Sequence, residues 1–180
     1  MTSPSTAVVS SARLAPFFSN DLEVVNYALT LEHLENAFYK MVNQSGLLDG
    51  NAAAYLMVIG MHEQAHVDAL TAVVRHLGGT PAEEQASYNF GALGDTSTSD
   101  GILAVAEMLE HTGVMAYNGA GPEIMDKTLL ANAGAIVNVE ARHTAIIRVL
   151  IDPNSNPVPL AFEEAATPQE ILDLIQPILG

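Results

Sequence analysis

Apolar residues recur every three or four positions over long stretches of the chain, a spacing typical of amphipathic α-helices. No stretch shows the strict alternation of apolar and polar residues that a strand would need. The pattern predicts four long helices and one short helix near the C terminus, over residues 21–43, 51–77, 99–117, 122–151 and 168–175. Asn20 is the expected N-cap of the first helix, and Pro122 suits the first turn of the fourth.

The links between the predicted helices indicate how they are connected in space. The first and third links are short, as expected between antiparallel neighbours. The link over residues 78–98 is long and rich in Gly, Ser, Thr and Pro, so it can cross from one end of a bundle to the other. The predicted fold is therefore an all-α, antiparallel four-helix bundle over residues 20–180, preceded by a flexible tail over residues 1–19.

Each long helix has one face that should point into the bundle, and this face has the same composition in all four. It is apolar at both ends and carries a glutamate near its middle. The inward positions of the four helices are Leu22, Val25, Leu29, Glu32, Asn36 and Tyr39; Leu56, Ile59, Glu63, His66, Leu70, Val73 and Leu77; Leu103, Ala106, Glu110, Gly113 and Tyr117; and Leu129, Ala133, Ile136, Glu140, His143, Ile147 and Leu150.

The two halves of the chain repeat each other. The segment LEHLENAFY at 31–39 matches LEHTGVMAY at 109–117, and HEQAHVDAL at 62–70 matches VEARHTAII at 139–147. One helical hairpin is thus used twice, and a pseudo-twofold axis is expected to relate the two copies. Glu32 and Glu110 become equivalent, as do the two E-x-x-H motifs.

A metal site explains why the carboxylates lie in the predicted core. A buried ionised carboxylate is costly unless a counter-charge compensates it, and none of the 6 Lys and Arg residues lies on an inward face. Two divalent cations would balance four carboxylates and two neutral histidines. One E-x-x-H motif is also compatible with a solvated glutamate and a core histidine, but two copies, each preceded by an inward glutamate, favour metal binding. The predicted ligands are Glu32, Glu63, His66, Glu110, Glu140 and His143.

Composition narrows the choice of metal and of partners. The chain has 21 Asp and Glu residues and a net charge of −15, which argues against binding to nucleic acid. It has no cysteine, so disulfides and thiolate ligands are excluded, and nitrogen and oxygen ligands suit iron or manganese better than zinc. No apolar run is long enough to span a membrane and no targeting signal is visible, so a cytoplasmic location is expected.

The chain resembles the ferritin-like domain family that includes the desiccation-related proteins, over about residues 21–178. The similarity lies in NYALTLEHLENAFY, HEQAHVDAL, the segment around Tyr88 and Phe90, EHTGVMAYNGAGPEI, VEARHTAIIRVL and TPQEILDLIQPIL. The Glu and E-x-x-H positions also resemble those of bacterioferritin and rubrerythrin, in which a tyrosine follows the first glutamate by seven residues, the place of Tyr39 and Tyr117. The resemblance implies a ferritin-like fold, a dinuclear metal centre and a role in stress.

Other polar residues near the predicted ligands have two interpretations each. Tyr39 and Tyr117 either hydrogen-bond the metal-binding carboxylates or are ordinary core tyrosines. Glu35 and Glu107 lie one turn from predicted ligands, and are either additional ligands or residues at the edge of the bundle. His62 is expected to be solvated or to cap a helix.

Three functions fit the predicted site. The leading one is a di-iron protein, with manganese as the alternative metal, that reacts with dioxygen or hydrogen peroxide as a ferroxidase or a peroxidase- or catalase-like oxidoreductase. The second is an iron-storage shell, for which the chain would form a homo-oligomer. The third is a non-catalytic stress protein whose metals only stabilise the bundle. Whether the chain is an enzyme, and whether it is oligomeric, stays open at this point.

Overall fold

The computed structural model describes residues 16–179, and all the regular secondary structure within them is helical. The helices are α1 Asp21–Ser45, α2 Gly50–His76, α3 Ser99–Ala120, α4 Lys127–Ile151 and α5 Pro168–Ile175, with 3₁₀ turns at Phe90–Ala92, Gly121–Glu123 and Gln176–Ile178. The predicted all-α class is confirmed, and all five predicted helices are present. None of the helices described is both long enough and apolar enough to cross a membrane.

The four long helices form two hairpins that pack against each other. α1 packs along α2 and α3 along α4, while smaller contacts join α1 to α3 and α2 to α4. The long connection between α2 and α3 is held to the end of the chain, because the amide of Asn89 donates to the carbonyl of Ile178 at 2.8 Å. Phe90 in this connection is buried, with its ring centroid 5.2 Å from that of Phe38.

Side-chain caps account for most of the helix starts. The side chain of Asn20 accepts a hydrogen bond from the amide of Glu23, so the predicted N-cap of α1 is present. The predicted start of the fourth helix at Pro122 is wrong, since Pro122 lies in a separate 3₁₀ turn and α4 begins at Lys127. The reason is Asp126, whose carboxylate accepts from the amides of Thr128 and Leu129 and so favours a new helix start there.

The buried apolar residues form two clusters. The larger extends through the bundle to the C-terminal turns and includes Phe38, Leu56, Phe90, Ile147 and Ile175. The smaller joins α1 to α2 through Val25, Ala28, Leu29, Val67, Leu70 and Val74. The first half of α4 is less well covered, since the fully buried residues of this helix are Glu140, His143, Thr144 and Ile147.

The end of the predicted N-terminal tail packs on the bundle. The amide of Phe18 donates to the carboxylate of Glu123 at 2.8 Å, and the ring of Phe18 lies 5.3 Å from that of Tyr27. The rest of the predicted tail, up to residue 15, lies outside the described residues.

Candidate metal centre

Four glutamates from the middle of the four long helices meet inside the bundle. Glu32 comes from α1, Glu63 from α2, Glu110 from α3 and Glu140 from α4, and all four side chains are completely buried. Each occupies a position where the helical periodicity turns a side chain inward, so the fold itself brings the carboxylates into one layer.

His66 lies close to three of the four glutamates. Its Nδ1 atom lies 3.2 Å from Oε2 of Glu32, 3.1 Å from Oε2 of Glu63 and 3.0 Å from Oε1 of Glu140. One ligand atom from each of these four residues lies within 4.8 Å of the others, a grouping that is able to hold a metal ion.

His143 likewise lies close to three of the four glutamates. Its Nδ1 atom lies 3.1 Å from Oε1 of Glu63, 3.1 Å from Oε2 of Glu110 and 3.5 Å from Oε2 of Glu140. These four residues form a second group within the same 4.8 Å limit. Glu63 and Glu140 thus turn one oxygen towards each group, whereas Glu32 and Glu110 each belong to one.

The hydrogen bonding of the shared carboxylates is incomplete. Oε1 of Glu63 and both carboxylate oxygens of Glu140 are buried, and none has a hydrogen-bond partner among the described residues. The histidine nitrogens are close enough for ion pairs, but their directions do not make hydrogen bonds to these three oxygens. Buried oxygens without partners are rare in folded proteins, and cations between the two carboxylates would satisfy them. The residues present therefore fit a metal centre.

The pKa values of the buried glutamates and histidines also indicate that the cluster has too little positive charge. Burial and repulsion by Glu140 and Glu63 raise the pKa of Glu32 to about 8, and the pKa of Glu110 is also well above its usual value for these reasons. Burial opposes protonation of His66, but contacts with Glu140, Glu32 and Glu63 outweigh it and raise its pKa to about 12. Without metal, protons on the histidines and glutamates must supply the compensation that cations would otherwise give.

Two tyrosines cross from one hairpin to the other. The hydroxyl of Tyr39 on α1 donates to Oε1 of Glu110 on α3, and the hydroxyl of Tyr117 on α3 donates to Oε1 of Glu32 on α1 at 2.5 Å. Burial, followed by the charge of the adjacent glutamate, raises the pKa of both phenols well above the ordinary value, so both stay protonated donors. Each of these glutamates therefore has one oxygen on a tyrosine and the other facing a histidine.

The two other glutamates named from the sequence have different environments. Glu35 is 3% exposed beside the carboxylate layer, and it fits because position 113 is glycine: a Cβ atom there would lie 2.9 Å from Oε1 of Glu35. Burial and repulsion by Glu140 and Glu110 raise its pKa well above the usual value. Glu107 is instead paired with Arg148 at 2.7 Å and belongs to neither metal-ligand group.

His62 is exposed, in agreement with the sequence-based expectation, but its side chain also contacts the centre. Its Nδ1 atom lies 2.9 Å from Nε2 of His143, and the two rings are stacked with centroids 5.2 Å apart. The repeat places Val139 at the equivalent position of the other half, where no such contact is possible. The sequence does contain a signal for this contact. HEQAH and VEARH match as motifs but differ at their first residue, which singles out His62.

A cavity of about 310 Å³ reaches the histidine side of the centre between α2 and α4. It is lined by His62, Ala65, His66, Val139, Arg142 and His143. Both predicted histidine ligands are thus next to an opening, while the four glutamates are shielded from solvent.

Comparisons with known proteins support the fold. Residues 20–153 match the family model described as ferritin-like domain. A crystal structure of a conserved hypothetical protein from Mycobacterium tuberculosis is similar, with a TM-score of 0.65 and 16% sequence identity over 71% of this chain and 94% of that one. None of the curated proteins has a significantly similar sequence. From the matched residues and the arrangement of its helices, the chain belongs to the ferritin-like domain family.

Proposed function

We propose that this chain is a dinuclear metal protein that reacts with dioxygen or hydrogen peroxide, with two iron ions as its cofactor and manganese as the alternative. The observation that carries the proposal is the pair of four-residue groups that share Glu63 and Glu140. The proposed ligands are Glu32, Glu63, His66, Glu110, Glu140 and His143.

The roles of the glutamates follow from the direction of their oxygens. Glu63 and Glu140 each face both histidines with different oxygens, so they are the proposed bridging ligands. Glu32 belongs to the ion near His66, and Glu110 to the ion near His143. In both histidines Nδ1 is the proposed ligand atom, and metal binding there replaces a proton.

The charge of the cluster supports a pair of ions. Two divalent ions balance the four carboxylates of the two groups when both histidines are neutral. Glu35 adds a fifth buried carboxylate close by. It is a source of further negative charge, either as a ligand or as a neighbour, when an ion changes from the divalent to the trivalent state.

When bound, the metals would supply the reversible change of oxidation state and positions open to an oxidant. The chain supplies the rest. Tyr39 and Tyr117 hold one oxygen of Glu110 and of Glu32, which leaves the other oxygen of each turned to the centre. His62 fixes the far side of the His143 ring, and such contacts tune the orientation of a metal-binding histidine. The opening between α2 and α4 is the proposed route for an oxidant.

A second function, a metal-stabilised protein without catalysis, is favoured by one observation. Oε1 of Glu63 and both carboxylate oxygens of Glu140 have no hydrogen-bond partner among the described residues, and bound cations would stabilise them whatever chemistry follows. An iron-storage shell is a third arrangement of the same site. A role in oxidative or desiccation stress, and a location in the cytoplasm, are predictions from the sequence that we retain as part of this proposal.

The test begins with metal-free protein and anaerobic titration with Fe(II), and separately with Mn(II). We expect saturation at two ions per chain, with anomalous diffraction placing both between the six named residues. Exposure to dioxygen or hydrogen peroxide should then consume oxidant in proportion to the bound ions. Full metal loading without oxidant consumption would support the non-catalytic function, and sedimentation of a large closed particle would support storage. One ion per chain, or ions elsewhere, would contradict the dinuclear centre.

A further inference from the structure

The cavity of about 310 Å³ between α2 and α4 differs in charge from the chain as a whole. Three histidines and Arg142 contribute to its wall, and none of the described acidic residues does. The chain has 6 Lys and Arg residues against 21 Asp and Glu, and a net charge of −15. The wall is therefore a local exception, and it adjoins the candidate metal centre because His66 and His143 belong to both.

The guanidinium of Arg142 has no counter-charge in the described part of the chain, in contrast to Arg148, which pairs with Glu107. On α2, the exposed acidic residue is Asp68, and its carboxylate already accepts a hydrogen bond from Gln64 at 2.9 Å. The residues one turn before and after Arg142 on α4 are Asn138, Val139, Ala145 and Ile146, none of which is acidic. An arginine is always charged, so this charge is available to an anion from solution.

His66 adds a hydrogen-bond donor to the wall when the centre is loaded. Its contacts with the glutamates all involve Nδ1, the proposed ligand atom, and Nε2 has no partner among the described residues. A neutral imidazole that binds metal through one nitrogen has its proton on the other, so Nε2 of His66 is a donor. The side chain is partly exposed and lines the cavity, so this donor is next to the opening.

His62 becomes a second donor through its contact with His143. With Nδ1 of His143 on a metal ion, the Nε2–H group of that ring donates to Nδ1 of His62 at 2.9 Å. Neutral His62 then has its own proton on Nε2. This atom belongs to an exposed side chain and has no partner in the part of the chain that the structure describes.

These features select the class of occupant. A guanidinium fork with two N–H donors beside it suits a carboxylate, which only accepts hydrogen bonds. One positive charge favours a monoanion, because two metal ions already balance the four glutamates of the proposed loaded centre. The other wall residues, Ala65 and Val139, are apolar, and about 310 Å³ leaves room for a short alkyl group.

We infer that this cavity binds a short-chain monocarboxylate through Arg142, His62 and His66, and that the bound anion blocks the opening to the metal centre. Binding of the anion requires the cavity and the charge of Arg142. The effect of the anion on the reaction of the centre rests on the proposed function, because the cavity is the proposed route for the oxidant.

The binding test is isothermal titration of the full chain with propanoate, both metal-free and loaded anaerobically with Fe(II). Propanamide, which has the same shape without the charge, and sulfate, a dianion, are the comparisons. We expect one propanoate per chain in the loaded form, and binding of propanamide and sulfate that is weaker by about tenfold or more. The absence of saturable propanoate binding in both forms, or tighter binding of either comparison, would overturn the inference.

Variants of Arg142 locate the site. Arg142→Gln removes the charge and should weaken propanoate binding by about tenfold or more, and Arg142→Lys should bind with intermediate affinity because it keeps the charge without the fork. Arg75→Gln makes the same change at an exposed position in the last turn of α2 and should bind propanoate like the wild type. Equal propanoate affinity of Arg142→Gln and the wild type would overturn the inference.

The block is measured separately, as the rate at which metal-loaded protein consumes hydrogen peroxide. Propanoate should slow this rate at the concentrations that fill the cavity, and should slow Arg142→Gln much less relative to its own rate without propanoate. An unchanged wild-type rate with the cavity filled would overturn the block. If the chain binds no pair of metal ions or consumes no oxidant, the proposed function fails, and comparing metal-free wild type with metal-free Arg142→Gln still decides whether the cavity binds the anion.

Discussion

The α1–α2 hairpin and the α3–α4 hairpin bring equivalent glutamates and histidines to the candidate centre but surround them differently. Glu32 and Glu110 occupy matching places, and the crossed contacts of Tyr39 and Tyr117 keep the same symmetry. One turn further along, Glu35 on α1 faces Gly113 on α3.

The second difference concerns the histidines. His143 has His62 behind it, whereas the position that matches His62 in the other half is Val139, whose side chain offers no hydrogen bond. The repeat therefore preserves the atoms that face the centre, while the residues behind them have diverged. We therefore expect the two halves of the proposed centre to bind metal with similar ligands and different strengths.

The largest expected effect on metal binding comes from removing a carboxylate that both groups share. Glu63→Ala or Glu140→Ala takes an anionic ligand from both groups, so we expect metal content to fall from about two ions per chain towards none. His143→Ala takes a neutral ligand from one group and should empty that site first, and His66→Ala should do the same at the other. Site-resolved occupancy from anomalous diffraction is the measurement, with Glu107→Ala as a control that touches neither group. Equal loss of both ions in the histidine variants would argue against bridging by the glutamates.

The next test removes the metals and changes pH. Glu32 titrates near 4.5 when unfolded and at about 8 in the metal-free fold, so its contribution to stability is complete below pH 4.5 and lost as pH rises to 8. The pKa of His66, raised from 6.5 to about 12, extends this loss above pH 6.5. The lowered pKa of Glu140, about 2, acts in the opposite sense and only below pH 4.5.

We therefore expect the melting temperature of metal-free protein to fall by on the order of 5–10 °C between pH 5 and pH 8. Metal-loaded protein should melt higher at pH 8 and show a smaller fall, because the ions neutralise the same carboxylates. Differential scanning calorimetry with and without chelator measures both. A metal-free protein that is more stable at pH 8 than at pH 5 would contradict the charge shortage deduced for the centre.

A smaller effect is expected from the contact that only one hairpin has. His62→Val copies the α4 residue onto α2 and removes the support behind His143. Loss of such a contact typically lowers metal affinity by about 10–100-fold, and here only the site near His143 should be affected. Competition with a calibrated chelator gives the two affinities. The control is His76→Val, also a histidine of α2 but in its last turn.

How far the sequence predicts the molecule depends on the kind of contact. The carboxylate layer could be predicted because Glu32, Glu63, Glu110 and Glu140 lie at repeated positions on the inward faces of the helices, and helical periodicity alone decides which way they point. The contact of His62 could not, because it depends on how closely α2 approaches α4 across the bundle.

Elsewhere, competing local signals limit what can be predicted from the sequence. Pro122 is a good residue for a helix start, but Asp126 offers two amide contacts a few residues later and determines where α4 begins. Glu35 and Glu107 are equally close to predicted ligands along the chain. Their environments differ only in the folded structure, where Gly113 leaves space for Glu35 and Arg148 pairs with Glu107. A small apolar cavity lined by Ala28, Ala116 and Ala133 is likewise formed by side chains from four helices, which no single segment reveals.

The crossed tyrosines should give effects of about the same size as that of His62, and they are the most specific test of the pseudo-twofold arrangement. Tyr39→Phe removes a donor from Glu110, so the ion that should weaken is the one on the opposite hairpin, near His143. Tyr117→Phe removes a donor from Glu32 and should weaken the ion near His66.

The size of each effect follows from burial. A hydrogen bond to a charged group contributes about 1.5–3 kcal/mol, and its loss is most costly where water cannot replace it. Tyr39 is completely buried, so its replacement should lower both the affinity of one ion and the free energy of unfolding by amounts in this range. Tyr117 is half-buried, so water can partly replace its hydroxyl and the effect should lie at or below about 1.5 kcal/mol. Chelator competition and urea unfolding of both variants, with exposed Tyr55→Phe as the control, measure these differences. Each tyrosine variant weakening the ion of its own hairpin instead would show that the crossed hydrogen bonds do not support the centre.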